Sequence, residues 1–150
     1  MVNASASVDL AMPAPVVWSF VERYDNWADL FPGYQRHRLT QDGASLWTVR
    51  GDLGVLSRIV EVEIRPGARG GAGAVTFAVK GITEDVAGTG TFAVQGLGDG
   101  RSRLTFAIEL AAAGPLGPVV NALLARRLPA LLEQFAPVLA RRIETVSTVP

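Results

Sequence analysis

The chain has 150 residues and a mass of 15.9 kDa, the size of one domain, and 49% of its residues are hydrophobic, which is enough for a substantial core. Fourteen basic residues balance fourteen acidic ones, so the broad positive field of nucleic-acid-binding proteins is missing and we expect no nucleic-acid partner. The absence of cysteine excludes disulfides, thiolate metal sites and thiol nucleophiles, and a single histidine excludes sites built from several histidines.

The first third of the chain predicts a strand followed by two short helices. Residues 3–12 alternate small or polar side chains with apolar ones, the period of a strand with one buried face. Pro15 is tolerated in a first helical turn, and apolar residues recur at helical spacing after it. Asp25 can cap a second short helix that ends at Pro32 and Gly33. We expect Trp18 and Phe20 to be largely buried there.

The remainder predicts a run of antiparallel strands and one long helix. Between residues 35 and 112, short alternating stretches are separated by clusters of turn-forming residues, which indicates about six further strands. Residues 119–144 then carry apolar side chains at helical spacing. Since Pro129 lacks an amide hydrogen, this helix is expected to bend or break near Leu128 and Pro129. Such a succession suggests one α+β domain over residues 1–150, with a curved sheet that grips the last helix.

Three segments resemble a known superfamily. They are "VWSFVERYDNWADLFPGY", "VKGITEDVAGTGTFAVQGLGDGRSRLTFAIEL" and "GPLGPVVNALLARRLPALLEQF". Together with the order of elements, they resemble the START-like or SRPBCC superfamily, and most of all the family of G-type subunits of carbon monoxide dehydrogenase and its polyketide cyclase/dehydrase-like relatives. The resemblance implies a helix-grip fold, in which an antiparallel sheet of about seven strands wraps around a long C-terminal helix and encloses a hydrophobic cavity. It also implies an accessory role near membrane-linked redox enzymes.

The alternation within the strands predicts which side chains face that cavity. Trp47, Phe77, Phe92 and Phe106 fall on inward faces, where they either form an ordinary core or stand apart as the walls of a pocket. Arg58 shares a face with apolar neighbours in its strand and could bind the polar end of a ligand. The alternative is that its guanidinium reaches water or an acid such as Asp52.

The single histidine, His37, shares parity with Leu39 in a short strand. Imidazole titrates near neutrality and can act as an acid or a base, but the spacing identifies no partner for it, and the alternative is a surface or structural residue. The exposed face of the last helix carries Arg127 and Arg141 on nearly one stripe, which suits either a peripheral contact with a membrane or an ordinary solvated face.

The sequence favours a protein that binds a hydrophobic small molecule, of the lipid or isoprenoid quinone class, without catalysing a reaction. The predicted ligand-binding residues are Phe31, His37, Trp47, Arg58, Val60, Val62, Phe77, Phe92, Phe106, Leu131 and Phe135. We expect Trp27 or Phe31 to border the entrance. No catalytic residue, metal or cofactor is assigned, and the start of the chain lacks a secretory signal, so a cytoplasmic location is expected.

Two alternatives remain open. One is a polyketide cyclase or dehydratase in which Arg58 positions a carbonyl group and His37 moves protons. The other is a protein-interaction module whose cavity is filled by core side chains. An apolar space of ligand size would argue against the protein-interaction module. Polar groups converging on Arg58 would favour the enzyme.

Overall fold

The computed structural model describes residues 2–52, 57–67 and 74–148. Within them lie seven strands: β1 (Val2–Leu10), β2 (Tyr34–Leu39), β3 (Ser45–Asp52), β4 (Ser57–Pro66), β5 (Ala74–Gly81), β6 (Val86–Gly98) and β7 (Arg101–Ala112). The helices are α1 (Ala14–Val21) and α2 (Gly117–Thr148), and two 3₁₀ turns cover Tyr24–Asn26 and Ala28–Leu30.

The seven strands form one antiparallel sheet in the order β1-β7-β6-β5-β4-β3-β2. Strands β2 to β7 follow one another as hairpins, while β1 crosses over to pair with β7 along its whole length. The long helix α2 packs over β1 and β7, and α1 packs over β6 and β7. The predicted α+β helix-grip fold is confirmed, with α1 and two 3₁₀ turns after the first strand.

The start of the chain differs from the prediction in its details. β1 ends at Leu10, two residues early, because its partner β7 begins only at Arg101 and Leu10 pairs with Ser102. Instead of a second helix capped by Asp25, the chain makes two 3₁₀ turns without side-chain caps.

The buried face of α1 also differs from the prediction. Trp18 and Phe20 were expected to be largely buried, but they are only partly buried, at the edge of the core. The fully buried residues of α1 are Val17 and Val21. They lie four positions apart, so they share the face of the helix that meets the sheet.

The helix was expected to bend or break near Leu128 and Pro129, and a break is wrong, because α2 continues through both Pro129 and Pro137. Each proline removes the hydrogen bond to the carbonyl four residues earlier, which belongs to Ala125 or Glu133. All four residues are exposed, so water can hydrogen-bond to the released carbonyls and the helix persists.

A glycine near the start of β6 allows the close approach of β7. A Cβ atom on Gly88 would lie 1.8 Å from the carbonyl oxygen of Glu109 and 2.9 Å from the Cα of Leu110. Real Cβ atoms do not approach backbone atoms so closely, so any side chain at this position would push the two strands apart.

We therefore expect Gly88→Ala to lower the free energy of unfolding by roughly 1–3 kcal/mol through overpacking. Gly96→Ala in the same strand is the matched control, since its Cβ would meet only the Cβ of Ala14, at 3.9 Å. Urea denaturation measures both variants, and equal midpoints for the two would contradict the close approach.

Candidate functional site

The predicted aromatic residues come together between the concave face of the sheet and α2. Phe92 and Phe106 occupy paired positions on β6 and β7, with ring centroids 4.7 Å apart, and Phe135 of α2 packs on Phe106 at 5.5 Å. Trp47 and Phe77 complete this aromatic cluster, and all five residues are buried. Such edge-to-face and tilted packing is typical of a core. Within this cluster the rings contact one another, as the core interpretation predicts.

Trp27 is the centre of the cluster, although the sequence predicted it only as a residue that borders the entrance. Its indole lies 4.8 Å from Phe92 and 5.8 Å from Trp47 between ring centroids, and it is 4% exposed. The indole nitrogen donates to the carbonyl of Val21 at 3.0 Å, which satisfies the buried polar group and fixes the ring. The irregular 3₁₀ segment has no periodicity that could have shown this.

The apolar surface of the concave face continues beyond the cluster onto β4. Val62 lies opposite Trp47, and Val60 lies opposite Val49, so all four side chains share one face of the sheet. Val60, Val62 and Leu131 of α2 are only partly buried. Among the described residues, the backbone of α2 runs close to β1 and β7. This partly exposed apolar surface, formed by Val49, Val60, Val62 and Val79, is called the β4 surface below.

Phe31 connects the aromatic cluster to the 3₁₀ segment. Its ring lies 5.4 Å from Phe135 and 6.4 Å from Phe106, and it is partly buried. Of the two residues expected at an entrance, Phe31 keeps an accessible edge and Trp27 does not.

Arg58 lies on the same face as Val60 and Val62 but at the end of the strand. Its Nη1 atom lies 3.2 Å from Oε1 of Glu84, in the loop between β5 and β6, and the side chains are 56% and 31% exposed. Oε1 of Glu84 is shielded from water and makes no well-aligned hydrogen bond. The guanidinium of Arg58 lies close to it and carries the opposite charge. The side chain of Asp52, the alternative partner, lies outside those that the structure describes.

The structure gives His37 the partners that the sequence could not identify. Its Nδ1 atom lies 2.6 Å from the hydroxyl of Tyr34, and its Nε2 atom lies 2.7 Å from Oδ1 of Asp25. The imidazole also stacks at a tilt on Trp47, with centroids 5.7 Å apart. Tyr34 was absent from the predicted site, and Asp25 was predicted only as a helix cap.

The other face of the sheet has a polar depression with a volume of about 110 Å³. Arg36, Arg38, Thr48 and Glu61 contribute to its walls. Across residues 2–52, 57–67 and 74–148, the acidic residues and the histidine form no group of three or more that could hold a metal ion. None of the described helices is long and apolar enough to cross a membrane.

The family model described as polyketide cyclase / dehydrase and lipid transport matches residues 1–144. The chain belongs to this family. The predicted membership of the SRPBCC superfamily and its polyketide cyclase-like branch is thereby confirmed. A comparison of this family member with curated proteins found no match.

Solved structures of similar fold cover nearly the whole of this family member. A conserved protein from Geobacillus kaustophilus has a TM-score of 0.79 at 14% identity, with 96% of each chain covered. The START superfamily protein from Mycobacterium smegmatis has a TM-score of 0.68 at 17% identity, covering 96% of this chain and 98% of that one. The ZhuI aromatase/cyclase from Streptomyces sp. R1128 has a TM-score of 0.62 at 17% identity, with 98% of each covered. These likenesses establish the fold.

Proposed function

We propose that this protein, as a single domain over residues 1–150, binds a hydrophobic small molecule of the lipid or isoprenoid quinone class and acts as a non-enzymatic carrier or accessory protein. The observation that carries the proposal is the partly exposed β4 surface on the concave face of the sheet, beside a buried aromatic cluster. The family description, which includes lipid transport, supports the same class of ligand.

The energetics of association favour a ligand with a long apolar portion. Burying apolar surface contributes about 25 cal/mol per Å², so covering ~200 Å² contributes about 5 kcal/mol. Immobilising the ligand costs at least ~4 kcal/mol, which nearly cancels that contribution. A ligand therefore has to cover several hundred Å² of apolar surface to bind well, which suits an acyl or isoprenoid chain.

The proposed setting is cytoplasmic, with an accessory role like that of the G-type subunits of carbon monoxide dehydrogenase. The resemblance of the sequence to that family supports this setting. Arg127 and Arg141 of α2 are exposed, as a peripheral contact with anionic lipid headgroups would require. No nucleic-acid partner is proposed, since the charges of the chain balance.

A cyclase or dehydratase is the second candidate function. The observation that favours it is the pairing of both nitrogens of His37, with Tyr34 on one side and Asp25 on the other. The predicted polar group of that enzyme, Arg58, is paired with Glu84 at the strand end.

Mass spectrometry of an organic extract of the purified protein, together with a titration of the fluorescent fatty acid cis-parinaric acid, tests the proposal. We expect Val62→Trp to weaken binding of the probe at least tenfold, because the indole would occupy the β4 surface beside Trp47. Ile59→Trp is the matched control, since Ile59 lies on the opposite face of the same strand and is 65% exposed.

Equal affinity of the two variants would contradict binding at the β4 surface. If neither variant nor the parent protein binds the probe, and no lipid or quinone is extracted, the side chains simply fill the core. The protein-interaction module would then replace the carrier.

A further inference from the structure

The polar depression lies on the convex face of the sheet, opposite the face that carries the β4 surface. Arg36 pairs with Thr48 of β3, and Thr48 pairs with Glu61 of β4, so three polar side chains cross the sheet in one row. Arg38 and Leu46 form the neighbouring pair on the same face. Because side chains alternate along a strand, all of them point away from the aromatic cluster.

The most buried wall of the depression carries a hydroxyl group. Thr48 is 8% exposed, yet no residue that the structure describes forms a hydrogen bond with its side chain. The hydroxyl is not sealed from solvent, so it opens into the depression. Buried hydroxyl groups usually have a partner, because leaving one without a hydrogen bond is costly. Thr48 can therefore supply a hydrogen bond to a group that enters the depression.

The charged side chains around this hydroxyl are unpaired. Across residues 2–52, 57–67 and 74–148, neither Arg36 nor Arg38 has an ion pair or a side-chain hydrogen bond, and the carboxylate of Glu61 has none either. Other charged groups on this face are paired, as Arg65 is with Glu63 at 2.8 Å. The depression thus holds two free guanidinium groups on the side of β2 and one free carboxylate on the side of β4.

The chemistry of these groups indicates a ligand with both a negative and a positive charge. Two guanidinium groups and a hydroxyl complement the oxygens of a phosphate, because guanidinium can bind phosphate through two parallel hydrogen bonds. A bare anion would be repelled by the carboxylate of Glu61, whereas an ammonium group at that position would be attracted to it.

The width of the depression favours a short spacer between the two charges. Neighbouring strands lie about 4.8 Å apart, so β2 and β4, on either side of β3, are separated by roughly 10 Å. In an α-amino acid both charged groups are attached to one carbon, which is short for this span. Phosphoethanolamine has two methylene groups between its phosphate and its ammonium, and the side chain of Leu46 offers them an apolar contact.

We propose that the polar depression binds a phosphoethanolamine group. The phosphate lies between Arg36 and Arg38 and accepts a hydrogen bond from the hydroxyl of Thr48. The ammonium group donates to the carboxylate of Glu61. The same group occurs free in solution and as the headgroup of phosphatidylethanolamine. Because the site lies on the convex face, it is independent of the proposed carrier function.

Isothermal titration calorimetry with O-phosphoethanolamine tests the site. We expect Arg36→Gln and Arg38→Gln each to weaken binding about tenfold, the lower limit for a charged hydrogen bond, since water screens an exposed group. Thr48→Val should weaken it by about two- to tenfold, because one neutral hydrogen bond is lost. This variant should melt no earlier than the parent, since its hydroxyl has no partner to lose within the described residues.

Two variants on the same face are the matched controls. Arg50→Gln removes a guanidinium that donates to Ser57, and Glu63→Gln removes a carboxylate that accepts from Arg65. Neither residue lines the depression, so neither variant should change the affinity for O-phosphoethanolamine. In contrast, Glu61→Gln should weaken the binding of O-phosphoethanolamine about tenfold and should not weaken the binding of inorganic phosphate.

Co-sedimentation with vesicles distinguishes the two sources of the group. Phosphatidylcholine vesicles are compared with vesicles that also contain phosphatidylethanolamine. Binding that requires phosphatidylethanolamine and is weakened in Arg38→Gln supports the site and identifies the lipid headgroup as its source. Binding of O-phosphoethanolamine without binding to these vesicles supports the site and identifies the free compound.

Three outcomes would overturn the proposal. They are an absence of binding to both O-phosphoethanolamine and the vesicles, equal losses of affinity in Arg50→Gln and Arg38→Gln, and binding of inorganic phosphate as tight as that of O-phosphoethanolamine. None of them bears on the carrier function. The affinity for cis-parinaric acid should be the same in the parent and in all of these variants, because the β4 surface lies on the other face of the sheet.

Discussion

Replacing Phe92 by alanine is expected to lower the free energy of unfolding by about 3–5 kcal/mol, the usual cost of removing a fully buried aromatic ring. Phe92 is 0% exposed, and it contacts Phe106 of the neighbouring strand and Trp27 of the 3₁₀ segment. Its removal leaves a cavity that rings held on three separate elements cannot easily fill. Equilibrium unfolding in urea measures the effect.

Leu39→Ala is the control for that substitution, because Leu39 is 62% exposed and its removal should change stability by less than ~0.5 kcal/mol. The comparison also bears on function. A cost for Phe92→Ala close to that of the control would mean that space already surrounds the ring, and the pocket interpretation of the aromatic cluster would then replace the core interpretation.

Replacing Arg58 by methionine is expected to weaken the binding of dodecanoate about tenfold and to leave the binding of dodecanol unchanged. The guanidinium lies at the end of the strand that carries the β4 surface, where it can hydrogen-bond a carboxylate. A charged hydrogen bond contributes about 1.5–3 kcal/mol, and the lower limit, close to tenfold in affinity, applies because water screens a half-exposed group. Competition with cis-parinaric acid measures both ligands.

Arg50→Met is the matched control for Arg58, since Arg50 lies on the opposite face of the neighbouring strand, where its Nε donates to the hydroxyl of Ser57. Equal losses for dodecanoate in both variants would indicate a general effect of charge. An unchanged affinity in Arg58→Met would show that Arg58 serves Glu84 and not the ligand.

Most of the fold followed from local patterns in the sequence. The alternation in β3 to β7 and the glycine and aspartate turns defined consecutive hairpins, and their order predicted the sheet that the structure contains. The predictions were wrong where tertiary contacts and solvent access determine where an element ends or whether it continues. β1 ends where β7 begins, and α2 tolerates Pro129 because water can reach the carbonyl of Ala125.

The candidate site was predictable only in part, because parity along a strand gives the face of a residue and not its neighbours. Parity correctly placed Trp47 and Phe92 on the concave face. It could not find Asp25, which reaches His37 from another element, nor Trp27, which lies in a segment without periodicity. The register shift before Arg36 brought Tyr34 to the face of His37, and nothing in the local composition marks it.

The pairing of β1 with β7 has a consequence for synthesis of the protein. Ser7 hydrogen-bonds Thr105 across the two strands, and the two residues are 98 positions apart in the chain. At a synthesis rate of about 5–20 residues per second, β7 is therefore made roughly 5–20 s after β1, and β1 is unpaired during that time. During that time its apolar side is open to other nascent chains and to chaperones. The alternate positions Asn3, Ser5, Ser7 and Asp9 are polar and exposed in the folded sheet, and in the waiting strand they oppose aggregation.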